Sequence, residues 1–178
     1  VQALKDNYTT YTPVPGYDDL RESISRKFLR DNNLTYAKDQ IVVSTGAKQS
    51  IANLVLSLIN PGDEVIIPAP YWVSYLEIVK VAEGVPVVIA AGIDKDFKIT
   101  GADLEAAITP KTKMLMFSTP CNPTGSVYTK EELQDIARVL AKYPQIIAMS
   151  DEIYEHINFI GKHESLAQFP EIYNQVVT

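Results

Sequence analysis

Three polar side chains of different chemistry stand just behind two short apolar runs. Asn122 lies in Ser118-Thr119-Pro120-Cys121-Asn122-Pro123-Thr124-Gly125, after Lys113-Met114-Leu115-Met116-Phe117. Asp151 and Tyr154 lie in Ser150-Asp151-Glu152-Ile153-Tyr154, after Ile146-Ile147-Ala148-Met149. Both runs read as buried strands, and open parallel α/β sheets bind ligands outside the carboxyl ends of their strands. The amide, the carboxylate and the phenol are therefore expected in one crevice. That set suits a flat, polar heteroaromatic ring better than a metal ion or a nucleic acid. A carboxylate at such a strand end is expected to be mostly buried and to need a cationic or N–H partner, which a protonated pyridine nitrogen provides. Read plainly, Asn122 before a proline is a turn residue and Asp151 a helix cap. Tyr154 shares a face with Asp151 if the segment turns helically.

Two further segments reach the same edge. Gly46-Ala47-Lys48 joins a β-branched run to a helix, so its N–H groups and the positive helix end suit an anion. Taken alone it is a plain strand-to-helix turn with Gly46 at positive φ. It is neither a Walker sequence nor G-x-G-x-x-G, and no nucleotide is indicated. Trp72, the only tryptophan, follows Ala69-Pro70-Tyr71; core filler and a stacking platform at the crevice mouth both remain open. Cys121 reads as a packed loop thiol, and His156 and His163 as solvent-facing. Two histidines and one cysteine without ligand spacing give no metal site.

Elements able to position these residues alternate along the chain. Asp18 or Asp19 is expected to cap a helix with Leu20, Ile24 and Phe28 inward. Ile41-Val42-Val43-Ser44 reads as a strand, 48–58 as a helix, and Asn60-Pro61-Gly62-Asp63 as a turn. Strands at 64–67, 86–89, 113–117 and 145–149 alternate with helices at 71–81, 104–108 and 129–143. The last helix opens with the capping box Thr129-Lys130-Glu131-Glu132. Val176-Val177 reads as the start of another strand. The fold class is α/β, a mostly parallel sheet with helices on both faces.

With 178 residues, 46% of them apolar and 21% charged, the chain can bury one good core. A net charge of −6 argues against nucleic-acid or anionic-membrane binding. No apolar run approaches the roughly 20 residues of a membrane span. A single cysteine allows no internal disulfide, which fits a reducing, cytoplasmic setting. Entry at Val1 and an end just after a starting strand read as an internal piece of a longer protein.

Five motifs, in order and spanning essentially the whole chain, resemble one family. They are Tyr11-Thr12-Pro13-Val14-Pro15-Gly16, Gly46-Ala47-Lys48-Gln49, Pro70-Tyr71-Trp72-Val73-Ser74-Tyr75, Asn122-Pro123-Thr124-Gly125 and Ser150-Asp151-Glu152-Ile153-Tyr154-Glu155. The chain is similar to class I/II aminotransferases of the aspartate aminotransferase type, fold-type-I enzymes using pyridoxal 5'-phosphate (PLP). The resemblance implies that residues 1–178 are a partial large cofactor-binding domain. It implies that backbone N–H groups of Gly46, Ala47 and Lys48 hold the cofactor phosphate and that Trp72 stacks on the ring. Asp151 would pair with the ring N–H, while Tyr154 and Asn122 hydrogen-bond its phenolic oxygen. Tyr11 would reach the phosphate of a partner subunit in a homodimer. Lys48 would meet the distal carboxylate of an acidic substrate, with Trp72 and Asn122 also on the substrate.

The same resemblance places the Schiff-base lysine just beyond Thr178 and the arginine for the substrate α-carboxylate further on. The N-terminal arm is missing as well, and Lys162 stands in the wrong context. The implied activity is amino-group transfer between an L-amino acid, aspartate or glutamate, and a 2-oxo acid; the 178 residues alone are expected to be inactive. Competing readings are an aromatic, alanine or prephenate-type transaminase, a PLP lyase, an effector-sensing domain of a transcription regulator, and an inactive scaffold.

Overall fold

The computed structural model describes residues 1–178, which form two compact units, Val1–Gly46 and Ala47–Thr178. In the first, α1 (Gln2–Lys5) is exposed, and α2 (Asp18–Lys27) carries Asp18 and Asp19 in its first turn and Arg26 and Lys27 in its last. Those charges complement the helix dipole. Tyr17 rather than an aspartate occupies the cap position; Asp18 instead pairs with Lys38 at 2.8 Å and with Arg21. No α2 residue is buried, so the expected inward stripe is only partly covered. A π-turn over Phe28–Asn32 ends at Asn33 in the left-handed region, φ 56°.

The expected strand at 41–44 does not form. Ile41 is buried, but Val42 is exposed, and Val43 N–H bonds only to the Pro15 carbonyl, at 3.0 Å. β-branched residues favour extended backbone, yet a strand needs a ladder partner, and a single bond is not one. Gly16, at φ +97°, makes that approach possible, since a Cβ there would lie 2.8 Å from the Val43 side chain.

The second unit is built on five strands in the order β2-β1-β3-β4-β5, every neighbouring pair parallel. They are β1 (Glu64–Ala69), β2 (Val85–Ala90), β3 (Thr112–Ser118), β4 (Ile147–Asp151) and β5 (Val176–Val177). The helices are α3 (Ala47–Leu58), α4 (Ser74–Val81), α5 (Gly101–Ala107) and α6 (Lys130–Leu140). One face of the sheet, through Val65, Ile67, Met114, Met116 and Met149, packs against Ile51 and Val55 of α3 and Tyr75 and Val79 of α4. On the other face Leu115 and Phe117 line a small void together with Ile136 of α6. Such double cover explains the unbroken apolar runs of β1 and β3. Thr129 and Glu132 form the expected capping box on α6. Beyond its far end, the Nε2 of buried Gln175 shares its two hydrogens among the carbonyls of Leu140, Tyr143 and Ile146, at 3.3, 3.0 and 3.1 Å, and so ties the turn between α6 and β4 to the segment before β5.

Candidate active site

Asp151 ends β4 and is in register with Ser118 at the end of β3, so the loops that follow both strands start on one edge. Side chains alternate across a strand. Ser150 therefore points to the α6 side, and Asp151 to the side of α3 and α4. There its Oδ2 accepts from the Tyr75 hydroxyl at 2.6 Å and its Oδ1 from Ile153 N–H at 3.2 Å. Neither donor is cationic, and the half-buried carboxylate keeps access to solvent. Tyr75 itself is only 1% exposed. Burial first, then the Asp151 charge, push its phenol far above the usual tyrosine range, so it stays a donor. The sequence reading assigned Tyr75 no separate role; its position three residues after Trp72 was the available signal.

Trp72 meets Tyr75 edge-on, with centroids 5.7 Å apart and planes at 87°. It is half-buried against the α3/α4 core, which is the packing that the core-filler reading expected. The Lys48 ammonium, from the first turn of α3, lies 4.9 Å over the Trp72 ring, a cation–π distance. Ala47 opens the same helix. Gly46 immediately precedes it, at φ +102°, and belongs to the first unit, as does fully exposed Tyr11.

Asn122 sits in a tight loop closed by Gly125 N–H to the Cys121 carbonyl at 2.8 Å and Cys121 N–H to the Ser126 carbonyl at 2.9 Å. Gly125, at φ +75°, supplies the left-handed step. Thr119 N–H ties the loop to the Asp151 carbonyl at 3.0 Å, and the Cys121 thiol reaches the Pro70 carbonyl at 3.6 Å. Cys121 is thus the packed loop thiol that its sequence suggested. Asn122 Nδ2 donates to the Tyr154 hydroxyl across a long 3.4 Å, a weak contact that leaves both groups able to take another partner. The structure thus gathers Ala47, Lys48, Trp72, Asn122, Asp151 and Tyr154 at one carboxyl edge. An adjoining crevice of about 310 Å³, including its solvent-filled mouth, runs from Tyr71, Tyr75 and Cys121 towards Phe97 and Lys98, without Trp72, Asn122 or Asp151 in its wall.

The expectation for the two histidines holds for one and fails for the other. His156 is exposed, but the His163 side chain is only 8% exposed and pairs with Glu152, itself 6% exposed, at 2.8 Å. The alternation Ser150, Glu152 and the short step from His163 to Ser165 carried this information. A local reading had no way to join residues 11 apart across a loop.

The family model for aminotransferase class I and II matches residues 2–173. The chain belongs to this family. An aspartate/prephenate aminotransferase of Nitrosomonas europaea is 52% identical over 161 residues, covering 90% of this chain and 41% of that protein. Among solved structures, the aspartate aminotransferase of Rhizobium meliloti superposes with a TM-score of 0.95 at 40% identity, covering 98% of this chain and 44% of that one. The Thermus thermophilus aspartate aminotransferase with maleate gives 0.92 at 39% identity, covering 98% and 45%. The chain spans less than half the length of the curated relatives it matches. No helix is long and apolar enough to cross a membrane.

Proposed function

We propose that these residues form part of the large domain of a homodimeric, PLP-dependent aminotransferase that moves an amino group between an acidic L-amino acid and a 2-oxo acid. The observation that carries this is Asp151, a half-buried carboxylate at a strand end with an O–H and an N–H donor and no cationic partner. It fits a ring that brings its own cationic N–H, and Trp72 beside it offers an aromatic face.

Bound there, PLP supplies an electron sink for the pair left at the substrate α-carbon. Asp151 would keep the proton on the ring nitrogen, with the Tyr75 hydroxyl holding its Oδ2 and Ile153 N–H its Oδ1. Trp72 would orient the ring and keep water from one face. Asn122 and Tyr154, whose mutual bond is weak, would donate to the ring oxygen. The N–H groups of Gly46, Ala47 and Lys48 would take the phosphate, and Tyr11 would serve the phosphate of the partner subunit. The Lys48 ammonium orients the distal carboxylate of an acidic substrate. Support for that substrate class comes from the aspartate and prephenate in the Nitrosomonas relative's name and the maleate in the Thermus structure. A reducing, cytoplasmic compartment suits the free thiol of Cys121.

The test is Asp151→Ala in the full-length enzyme. Loss of a charge-paired contact of this kind is worth roughly 3 kcal/mol or more, so turnover should fall about a hundredfold or further, well beyond what the roughly 1–3 kcal/mol of stability lost with the Tyr75 bond would cause in an enzyme that stays folded. Near-normal turnover would remove Asp151 from the mechanism.

A further inference from the structure

A second polar cluster lies one residue from Asp151, on the opposite face of β4, and the chemistry above does not use it. Glu152 Oε1 accepts from the Ser150 hydroxyl at 2.9 Å and from the Ser165 hydroxyl at 2.8 Å, and Oε2 faces His163 Nε2 at 2.8 Å. An ionised carboxylate only accepts, so Nε2 carries the proton of that bond. His163 Nδ1 is buried without a partner. The ring is thus held by Glu152 alone among hydrogen-bonding groups.

The geometry gives this cluster a task. The chain leaves the sheet at Glu152, makes an excursion, and returns at His163. The excursion is poorly covered: Ile153, Ile157, Phe159 and Ile160 are 60, 58, 92 and 76% exposed. The return point is firm, because Ser165 accepts from Ala167 N–H at 3.2 Å and Leu166 and Ala167 are buried. Glu152 therefore fastens the base of a loose loop to a rigid anchor. Asp151 precedes the fastened residue and Tyr154 follows it two positions on, and the Glu155 N–H to Glu152 carbonyl bond at 2.9 Å sets the turn between them.

We propose that Glu152 and His163, with Ser150 and Ser165, form a clasp that fixes the backbone of residues 151–154, making Glu152 and His163 positioning residues for Asp151 and Tyr154. The positioning role rests on the cofactor reading above; the clasp does not. Lys162, exposed and next to His163, is a built-in reporter, since cleavage after it needs His163 and the chain beyond to enter the protease, which trypsin achieves faster when the base of the loop opens.

The experiment compares His163→Ala, His163→Gln and Asp151→Asn in the full-length enzyme. Peptide mass spectrometry follows tryptic cleavage after Lys162, and titration of the apoenzyme gives PLP affinity. Loss of a hydrogen bond to a charged group corresponds to about a tenfold change. His163→Ala should speed cleavage after Lys162 by about tenfold and weaken PLP binding by a similar factor. His163→Gln, which keeps an N–H donor, should restore most of both. If His163→Ala fails to fold, Ser165→Ala, which removes one of the two donors to Oε1, should give the same two effects in weaker form. A His163→Ala enzyme with lower thermal stability but unchanged cleavage after Lys162 would overturn the clasp. Faster cleavage with unchanged PLP affinity, where Asp151→Asn does weaken it, would overturn the positioning role. Unchanged affinity in Asp151→Asn would overturn the cofactor reading and the positioning role with it, while cleavage after Lys162 would still decide the clasp.

Discussion

Replacing Tyr75 by phenylalanine should destabilise the chain at neutral pH and make little difference near pH 11. The substitution keeps the ring against Trp72 and removes only the hydroxyl that donates to Asp151 at 2.6 Å. A hydrogen bond to a charged group contributes about 1.5–3 kcal/mol net. Asp151 is half-buried and retains Ile153 N–H, so the lower end, about 1.5 kcal/mol, applies. In the unfolded chain Tyr75 ionises near pH 10. In the folded chain burial and the Asp151 charge hold that proton on well beyond this. Its folded pKa is raised, so its contribution is complete below about pH 10. It is lost as pH climbs from there towards the folded value, at about 1.4 kcal/mol per unit. Phenylalanine has no proton to lose. The gap of about 1.5 kcal/mol at pH 8 should therefore close near pH 11. Tyr128 and the lysines titrate in both proteins and cancel in the difference. Urea unfolding of the 178-residue chain, followed by circular dichroism from pH 8 to 11, measures it. A gap that stays constant across that range would mean that folded Tyr75 ionises in the usual tyrosine range, and would refute the reasoning.

Two further outcomes follow from named contacts. Lys48→Ala in the full-length enzyme should lower kcat/KM for aspartate about tenfold or more and leave alanine nearly unchanged, because only aspartate has a second carboxylate to pair; equal losses would assign Lys48 to the phosphate or to packing on Trp72. Gly101→Ala should destabilise by roughly 1–3 kcal/mol, since its Cβ would lie 2.7 Å from Asp135 Oδ2 and 2.8 Å from the Asp135 carbonyl, and urea unfolding would show whether α5 can yield instead.

The parallel core was legible in the sequence because strands buried on both faces read as continuous apolar runs, as in Val65-Ile66-Ile67 and Met114-Leu115-Met116-Phe117. Asn122 and Asp151 were legible because punctuation by proline, glycine or a carboxylate directly after such a run marks the edge where loops begin. Ile41-Val42-Val43 misled because β-branched composition reports extended backbone without reporting a pairing partner. His163 misled for a related reason. Its neighbours Gly161, Lys162 and Glu164 are polar or small, as in a surface loop, and the carboxylate that buries it lies 11 residues away. Tyr75 shows the same limit: its hydroxyl finds Asp151 only through tertiary packing.

Tyr75 and Asp151 are 76 residues apart in sequence. During synthesis at about 5–20 residues per second, the phenol exists for roughly 4–15 seconds before its carboxylate has been made. In that interval β2 and then the central β3 are made and can pair with β1, but β4, which carries Asp151 at its end, is still incomplete. Parallel pairings close large loops before any contact rewards them, which slows folding. The edge that carries Asp151 therefore cannot close before residue 151 emerges, and until then Tyr75 lacks its carboxylate partner.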